Sequence, residues 1–442
     1  MSPSPLVVAT ACPTCSAPLD FHEGASSVRC AHCGSRLLLT GRGQVLAYHV
    51  SPHVDSARAL AAARALAARP RDPLLCFLPY YRLTAQEFCW ERPEPPPGKR
   101  TPRTEEPEDP HVLPELEERW IERNFLACAW DGLGLYSLGV RPGVLRLELF
   151  RREALAPTGH IVAADMAPAA ALAHALRPAD PRRLVHRAVV ARVLSLVHFP
   201  FWAVTLADGA SPRIGLVDGV SGNVAVAEVP PDLRARLAGN DGADLVTVGF
   251  RPLVCPNCGW DLADEPTHVV FLCGSCRRAW QVDGDRLMPI ACTIAQAPPA
   301  ARGPVRHLPM WMVGVRGASR LPERIVVPAF RYRGLALLLG LATRLSRSGA
   351  TLPAAGEERV EAEGAHLDRE DAAALARFIA TGIDRHAAAE MEIVGAELVW
   401  WPFGVMAGSL REPVTGFALP ERLLLRQAGT SFCRVDDRAD AV

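Results

Sequence analysis

The chain has 442 residues, enough for about three domains, and 49% of them are apolar, so it can bury a large core. Its 48 basic and 48 acidic side chains cancel, which excludes a global electrostatic attraction to nucleic acid or to an acidic membrane. Lysine occurs once, as Lys99 in a stretch rich in Pro and Glu, and the bias toward Arg, Ala and Pro is typical of a GC-rich bacterial coding sequence. This excludes sites that need a lysine in a folded region, such as a P-loop or a Schiff base.

The first predicted element, over residues 1–45, is a metal site. Cys12-Pro-Thr-Cys15 and Cys30-Ala-His-Cys33 together read C-x2-C-x14-C-x2-C. Two such turns bring four thiolates to the tips of two hairpins, where they complete a tetrahedron around one Zn²⁺. All coordination positions are then filled, so the spacing predicts a structural zinc site and not a catalytic one. Gly34 suits the left-handed residue that closes such a turn.

Residues 46–245 are predicted to form an α+β domain of mixed strands and helices. A short Ala-rich helix is expected at about 55–69, with Asp55 as its N-cap, and an apolar strand at Leu74–Leu83. Residues 91–118 are expected to form a solvated Pro/Glu-rich loop. Strands are then expected at about 124–150, helices at about 163–176 and 182–197, and a hairpin over Phe199–Leu206 and Ile214–Ala225.

The second half of the chain repeats this order. Residues 246–285 contain Cys255-Pro-Asn-Cys258 and Cys273-Gly-Ser-Cys276, which predict a second structural zinc site with the same spacing. Residues 286–442 are predicted to form a second α+β domain. Its expected strands are His307–Val313, Arg324–Phe330, Glu397–Phe403 and about 413–419, and its expected helices lie at about 333–346 and 369–386, the latter capped by Asp368.

The identical cysteine spacing predicts a tandem duplication, with residues 1–245 as the first copy and 246–442 as the second. Both copies contain strands with a central proline, which belongs at sheet edges or bulges because proline has no N–H to donate. These strands serve either core packing and edge protection or, alternatively, an aromatic groove that grips a peptide. If the domains are duplicated, Leu78–Tyr81 corresponds to Leu308–Trp311, and Phe199–Trp202 corresponds to Trp400–Phe403.

The two cysteine sets give the chain a resemblance to a known family. Residues 10–38 and 253–281 resemble the rubredoxin-like zinc ribbons of RNA polymerase subunits, general transcription factors and many uncharacterised bacterial proteins. The resemblance implies a local fold and two structural Zn²⁺ ions, with iron as the alternative metal. It implies no single function, because such ribbons bind DNA, RNA and proteins. The rest of the chain carries no such resemblance.

Other histidines and cysteines give weaker signals. His49 and His53 are either a metal pair or residues of a surface loop, and the lack of further ligands nearby favours the loop. His22, His32 and His268 lie within the ribbons and are expected to support the hairpins or the ligands. The remaining cysteines are expected to be small buried apolar residues, with a catalytic cysteine as the alternative: Cys76, Cys89, Cys128, Cys292 and Cys433.

The sequence predicts a cytoplasmic protein. No apolar run reaches the roughly 18 residues of a membrane span, and the N-terminus lacks the basic region of a signal peptide. In a reducing compartment, eight of the 13 cysteines are metal ligands and not disulfide partners.

Neither ribbon has a net basic composition, which disfavours binding to nucleic acid. Ribbon one (residues 10–38) contains Asp20 and Glu23 as well as Arg29. Ribbon two (residues 253–281) contains three acidic residues as well as Arg277 and Arg278. No nucleophile–base arrangement is evident. The sequence therefore predicts a non-enzymatic adaptor or scaffold that binds a protein partner. The alternatives are a nucleic-acid-associated regulatory protein that uses its ribbons, and an enzyme with its site in the α+β domains.

Overall fold

The computed structural model describes residues 6–93, 114–128, 133, 145–176, 183–206, 213–229, 245–299, 301, 303–317, 319–356, 360 and 362–425. The chain divides into two compact units. Unit 1 comprises Met1–Val254 and Val282–Met288, and unit 2 comprises Cys255–Gln281 and Pro289–Val442. The fold is mostly β, with 46% strand against 17% helix. No helix in the described part of the chain is long and apolar enough to cross a membrane.

Unit 1 is built on a ten-stranded sheet with the order β12-β11-β10-β5-β8-β1-β2, in which β6 also pairs with β10 and carries β7 and β9. A second sheet has the order β13-β4-β3. The strands are β1 Val7–Ala11, β2 Pro18–His22, β3 Ser27–Arg29, β4 Arg36–Leu39, β5 Leu46–His49, β6 Pro70–Glu91, β7 Glu115–Leu126, β8 Arg146–Leu149, β9 His160–Ile161, β10 Leu184–Leu206, β11 Arg213–Asp218, β12 Val224–Val226 and β13 Phe250–Pro252. The helices are α1 Ser56–Ala63, α2 Arg152–Leu155 and α3 Pro168–Ala175.

Several expected elements of unit 1 are present. Helix α1 begins where predicted, because the Asp55 carboxylate accepts a hydrogen bond of 2.8 Å from the Arg58 N–H. The predicted hairpin is also present, since β10 and β11 pair antiparallel from Phe201↔Asp218 to Leu206↔Arg213. Helix α3 forms within the range predicted for it, and Pro168 at its first turn costs no backbone hydrogen bond.

The helix predicted at about 182–197 is wrong, because these residues form the first half of strand β10. The segment pairs antiparallel with β6, from Leu184↔Glu91 onward. It is rich in valine, and a β-branched side chain fits a pleated sheet better than a helix. Its pattern of apolar residues did not reveal this, because the partner strand lies about a hundred residues earlier in the chain.

The Pro/Glu-rich loop predicted over 91–118 is wrong at both ends, and Glu91 is the last residue of β6. Residues Glu115–Glu118 already belong to β7, which pairs with β6 from Glu91↔Glu115 to Tyr80↔Leu126. Strand β7 is an edge strand, and its glutamates can reach water. A charged sequence is therefore compatible with a strand at this position. Residues 94–113 of the predicted loop lie outside the described residues.

In unit 2 the principal sheet has the order β19-β18-β20-β21-β22, and β17 also pairs with β20. From residue 270 onward the strands of the chain, of which β15 and β16 lie partly in unit 1, are β14 Val270–Leu272, β15 Ala279–Asp283, β16 Arg286–Ile290, β17 Cys292–Ile294, β18 Val305–Arg316, β19 Arg324–Pro328, β20 Glu392–Met406, β21 Ser409–Arg411 and β22 Ala418–Pro420. The helices are α4 Leu335–Ser348, α5 Arg369–Ile383 and α6 Arg385–Glu390, and a short 3-10 turn covers Glu421–Leu423.

The two predicted helices of unit 2 are confirmed. The Asp368 carboxylate caps α5 by accepting from the Asp371 N–H at 2.9 Å. Helix α4 ends at Gly349, whose φ of 60° is left-handed and terminates a helix at low cost in glycine. Ala342, Ala376 and Ile379 from these helices pack into the same buried cluster as Trp311 and Trp400 of the sheet.

The central strands of the two units pair at the same register relative to their prolines. In unit 1, Pro79 lies opposite His198 and Phe77 opposite Pro200. In unit 2, Pro309 lies opposite Trp400 and His307 opposite Pro402. Leu78–Tyr81 and Leu308–Trp311 therefore hold the same position, as expected, whereas Phe199 corresponds to Trp401, one residue further than expected.

The strands on both sides of these pairs correspond as well. Strand β7 lies beside β6 as β19 lies beside β18, with Tyr80↔Leu126 matching Met310↔Pro328. The strand that follows each ribbon pairs parallel with the second long strand, through His49↔His198 in unit 1 and Ile294↔Trp400 in unit 2. The meander β10-β11-β12 likewise matches β20-β21-β22. An ancestral duplication stays a prediction, and the shared registers support it.

Candidate metal centres

Each predicted metal site is formed by two turns at the ends of short strands. In ribbon one, β1 leads into Cys12 and β2 follows Cys15, while β3 leads into Cys30 and β4 follows Cys33. In ribbon two, Val270–Leu272 leads into Cys273, and Ala279–Asp283 follows Cys276. The structure brings the cysteines together as two quartets, in which all four sulfurs lie within 4.8 Å of one another: Cys12, Cys15, Cys30 and Cys33, and Cys255, Cys258, Cys273 and Cys276.

The sulfur spacing fits zinc. The Cys12–Cys33 and Cys15–Cys30 Sγ pairs are both 3.8 Å apart. In ribbon two, the Cys255–Cys276 and Cys258–Cys273 pairs are both 3.6 Å apart. A tetrahedron with Zn–S bonds of about 2.3 Å places its sulfurs about 3.8 Å apart. Both quartets can therefore bind Zn²⁺ with four thiolates and no open position.

We call each C-x2-C turn, together with the two residues that follow it, a knuckle. In all four knuckles the N–H of the first cysteine donates to the carbonyl five residues later, and the N–H four residues later donates back to that cysteine's carbonyl. The residue directly after the second cysteine has a positive φ in each knuckle: Ser16, Gly34, Gly259 and Arg277. The sequence predicted this conformation at Gly34. Ser16 and Arg277 show that the turn is imposed even where the side chain opposes it.

Two further turns repeat the knuckle backbone with a carboxylate in place of the first cysteine. Gly222 N–H donates to the Asp218 carbonyl, and Gly416 N–H donates to the Glu412 carbonyl. The Asp218 carboxylate accepts from the N–H groups of Val220 and Ser221, both at 2.9 Å. These turns occupy equivalent positions, between β11 and β12 and between β21 and β22. We call these two turns, which have the knuckle backbone without cysteines, metal-free knuckles. The sequence predicted only the hairpin that contains the first of them.

In each quartet at least one thiol has a raised pKa. Hydrogen bonds with the Ser35 hydroxyl and N–H lower the pKa of Cys33 to about 6. The Ala17 N–H lowers the pKa of Cys15, but burial and the three neighbouring thiols raise it to about 12. In ribbon two, burial raises the pKa of Cys273 to about 12. A divalent cation is what allows all four sulfurs to be thiolates at neutral pH.

Ribbon one is packed into the core of unit 1. Val28, Leu37 and Leu39 of its hairpin belong to the same buried cluster as Phe199 and Phe201 of β10. At the hairpin tip, the buried Glu23 carboxylate accepts from Arg82 Nε at 2.7 Å, and Arg82 also donates to Glu122 at 2.5 Å. Ribbon one is therefore part of a larger folded unit.

Ribbon two is likewise packed into unit 2. Val269, Val270 and Ala279 belong to the core cluster that contains Trp311 and Trp400. The buried His268 ring lies 4.6 Å from the His366 ring, and burial lowers the pKa of His268 to about 3. His268 thus supports its hairpin as expected, whereas His22 and His32 are exposed.

The remaining sequence candidates divide into buried and exposed residues. Cys76, Cys89 and Cys128 are buried and Cys292 is half-buried, and Cys433 lies outside the described residues. Burial raises the pKa of Cys76 to about 12 and that of Cys89 to about 11, so these thiols are poor nucleophiles at neutral pH. The surface loop expected around His49 is wrong, because His49 is the last residue of β5 and is 7% exposed, whereas His53 is exposed.

Comparison with known proteins gives one local match. A family described as the PriA DNA helicase Cys-rich region (CRR) domain, a zinc ribbon, matches residues 12–37. No curated protein and no solved structure matches the chain. The similarity identifies ribbon one as a zinc ribbon, in agreement with its cysteine geometry, and covers only a small part of the chain.

Proposed function

We propose that the protein is a non-enzymatic, zinc-braced scaffold that binds a protein partner in the cytoplasm. The observation that carries this proposal is the placement of the two thiolate quartets. Each quartet is coordinatively closed and has its first cysteines in a core, while its knuckles reach the surface. A closed site has no position for a substrate or a reactive water, so its zinc supplies rigidity and not chemistry.

The surface best suited to a protein partner is the first knuckle of ribbon two. Residues 256–261 form a continuous exposed run, and Trp260 in it is 62% exposed. An exposed tryptophan on a rigid turn offers a large contact area without an entropic cost of ordering, which is a property of interface anchors. Zinc fixes the turn that carries it.

Affinity capture from the native host, with the full zinc-loaded chain as bait, tests this proposal. We expect a partner that binds the wild type and is lost with Trp260→Ser, while the bound zinc is unchanged. The matched control is Trp120→Ser, which removes another exposed tryptophan, 37% exposed, from β7 of unit 1. A partner set that is the same for wild type and Trp260→Ser would reject the knuckle as the binding surface.

A second candidate function is association with nucleic acid. The similarity to the Cys-rich region of a DNA helicase favours it. The charges of ribbon one add support, because its two acidic residues are already paired: Asp20 with Arg146 at 2.9 Å, and Glu23 with Arg82. Arg29 stays exposed on the hairpin and lies opposite Arg36 in the β3–β4 register.

Fluorescence anisotropy with labelled single- and double-stranded DNA and RNA distinguishes the two candidates. Binding through phosphates weakens steeply with added salt and weakens further in an Arg29→Gln variant. The control is Arg69→Gln, an exposed arginine outside the ribbon. Absence of binding at low salt would eliminate the second candidate and leave the first unaffected.

A further inference from the structure

Unit 1 contains a cleft that plays no part in zinc binding. It has a volume of about 490 Å³ and lies between the ends of β5 and β8, strand β1 and helix α2. Its apolar lining includes Phe77, Leu149 and Leu155. The polar and charged side chains that reach it are Thr10, His49, Ser51, Glu148, Arg151 and Thr158. An apolar cleft with a few convergent polar groups is the usual form of a small-molecule site.

The polar groups of the cleft centre on Glu148. Its Oε1 accepts from the Ser51 hydroxyl at 2.6 Å, and its Oε2 lies 3.6 Å from His49 Nε2. The Glu148 side chain is 46% exposed, so it is open to a ligand, whereas the His49 side chain is 8% exposed. His49 Nδ1 has no hydrogen-bond partner within the described part of the chain. The site thus has a carboxylate held by Ser51 beside a buried imidazole.

The fold itself does not require these polar residues. His49 lies opposite His198, and the same register in unit 2 places Ile294 opposite Trp400. One pairing scheme therefore accepts either two histidines or two apolar residues. Burying an imidazole costs free energy that an isoleucine does not. Strand β8, which carries Glu148 and pairs with β5, has no counterpart beside β17 among the described residues. Among the described residues, the strand that supplies Glu148 is therefore an addition of unit 1.

The charges of the cleft indicate the ligand. Burial lowers the pKa of His49, so its imidazole adds no positive charge beside the Glu148 carboxylate near pH 7. Arg151, the other charged residue of the lining, is exposed. We propose that this cleft binds a small organic cation, an amine or guanidine, with its charged nitrogen on Glu148 and its apolar stem on Phe77, Leu149 and Leu155. This site is independent of the proposed scaffold function.

Titration of agmatine into the zinc-loaded full-length protein, followed by saturation-transfer NMR, tests the proposal. Agmatine carries a cationic group at each end of a short apolar stem. We expect saturable binding that weakens about tenfold or more in Glu148→Gln, because a charge-assisted hydrogen bond is lost. Pentanamide, an uncharged molecule with a similar stem, should not bind. The matched control is Glu153→Gln, which removes the same charge from an exposed position on α2 outside the cleft.

A second variant separates loss of the site from loss of the fold. Ala154 lines the cleft from an exposed position, so Ala154→Trp fills the cleft and leaves Glu148 in place. We expect it to abolish agmatine binding while bound zinc stays at the wild-type level. Agmatine binding of equal affinity in wild type, Glu148→Gln and Ala154→Trp, or no binding to the wild type at millimolar concentration, would overturn the proposal.

Discussion

Units 1 and 2 share a pairing scheme but differ in what is built on it. The central strands have 22 and 23 residues in unit 1, against 12 and 15 in unit 2. Unit 1 adds β8, α2, β9 and α3 before its second long strand, while unit 2 adds α4, α5 and α6 at that point in the chain. The two units therefore share the strand register around the prolines and around the strand that follows each ribbon. The elements inserted between the two long strands differ.

The difference extends to single residues at equivalent positions. Arg82 of unit 1 corresponds to Met312 of unit 2, since they lie three residues after the equivalent Pro79 and Pro309. His49 likewise corresponds to Ile294. At both positions unit 1 has a polar residue where unit 2 has an apolar one. The buried Arg82 and His49 are thus tied to specific partners in unit 1 and not to the shared fold.

The largest effect is expected from removing one zinc ligand from either unit. Cys30→Ser in unit 1 and Cys273→Ser in unit 2 should each lower bound zinc from about two ions to about one per chain. Structural zinc contributes roughly 10–16 kcal/mol to the folding of isolated finger peptides, so each variant should lose hydrogen-exchange protection in its own ribbon. Elemental analysis and exchange mass spectrometry measure the two results.

The control for both zinc variants is Cys292→Ser, a half-buried cysteine that is not in a quartet. It should keep about two zinc ions. Unchanged zinc in Cys30→Ser or Cys273→Ser would contradict the assignment of that quartet as a metal centre.

A smaller effect is expected from replacing the buried arginine by its unit 2 counterpart. Arg82→Met leaves the 3% exposed Glu23 side chain without its partner, and should destabilise unit 1 by about 3–5 kcal/mol. Adding Glu23→Leu should recover most of this loss, because an apolar pair of similar size is often neutral. Denaturant unfolding measures both. A double variant no more stable than Arg82→Met would contradict the view that the loss comes from the unpaired Glu23 charge.

The buried histidines predict a loss of stability in acid. Burial lowers the pKa of His198 from 6.5 to about 4, so the folded state keeps it neutral where the unfolded state binds a proton. The contribution of His198 to the free energy of unfolding is fully present above about pH 6.5. It falls by about 3 kcal/mol in total as the pH falls toward 4. His198→Phe should flatten this dependence in unit 1, where an aromatic residue fits as Trp400 does in unit 2. Unfolding at several pH values measures it, and an equally steep curve in the variant would contradict it.

The smallest effect is expected at the metal-free knuckles. Glu412→Gln and Asp218→Asn each weaken charge-assisted hydrogen bonds to the turn N–H groups, at a cost of about 1.5–3 kcal/mol. Both variants should be destabilising, because the two turns share their backbone scheme. Thermal unfolding compares them, and a large cost in only one unit would show that the turns are not equivalent.

The sequence predicted the parts of the fold that depend on neighbouring residues. Cysteine spacing predicts the quartets, and the Asp55 and Asp368 caps predict helix starts, because these signals act within a few residues. Contacts between distant residues were missed. Glu23 and Arg82 are 59 residues apart, and Ser51 and Glu148 are 97 apart. Only the folded sheet brings them together, so no local pattern could have identified the cleft.

The burial of the quartets determines how the metal leaves. In every C-x2-C pair the first cysteine is buried, while Cys33 and Cys258 are exposed. A chelator or an oxidant therefore meets the second pair of ribbon one and the first pair of ribbon two. Exchange by ligand substitution should begin with detachment of these sulfurs, while the buried ones still hold the ion. The two ions are thus released through different ligands, and the exposure of a single thiolate can set the dissociation rate of each ion.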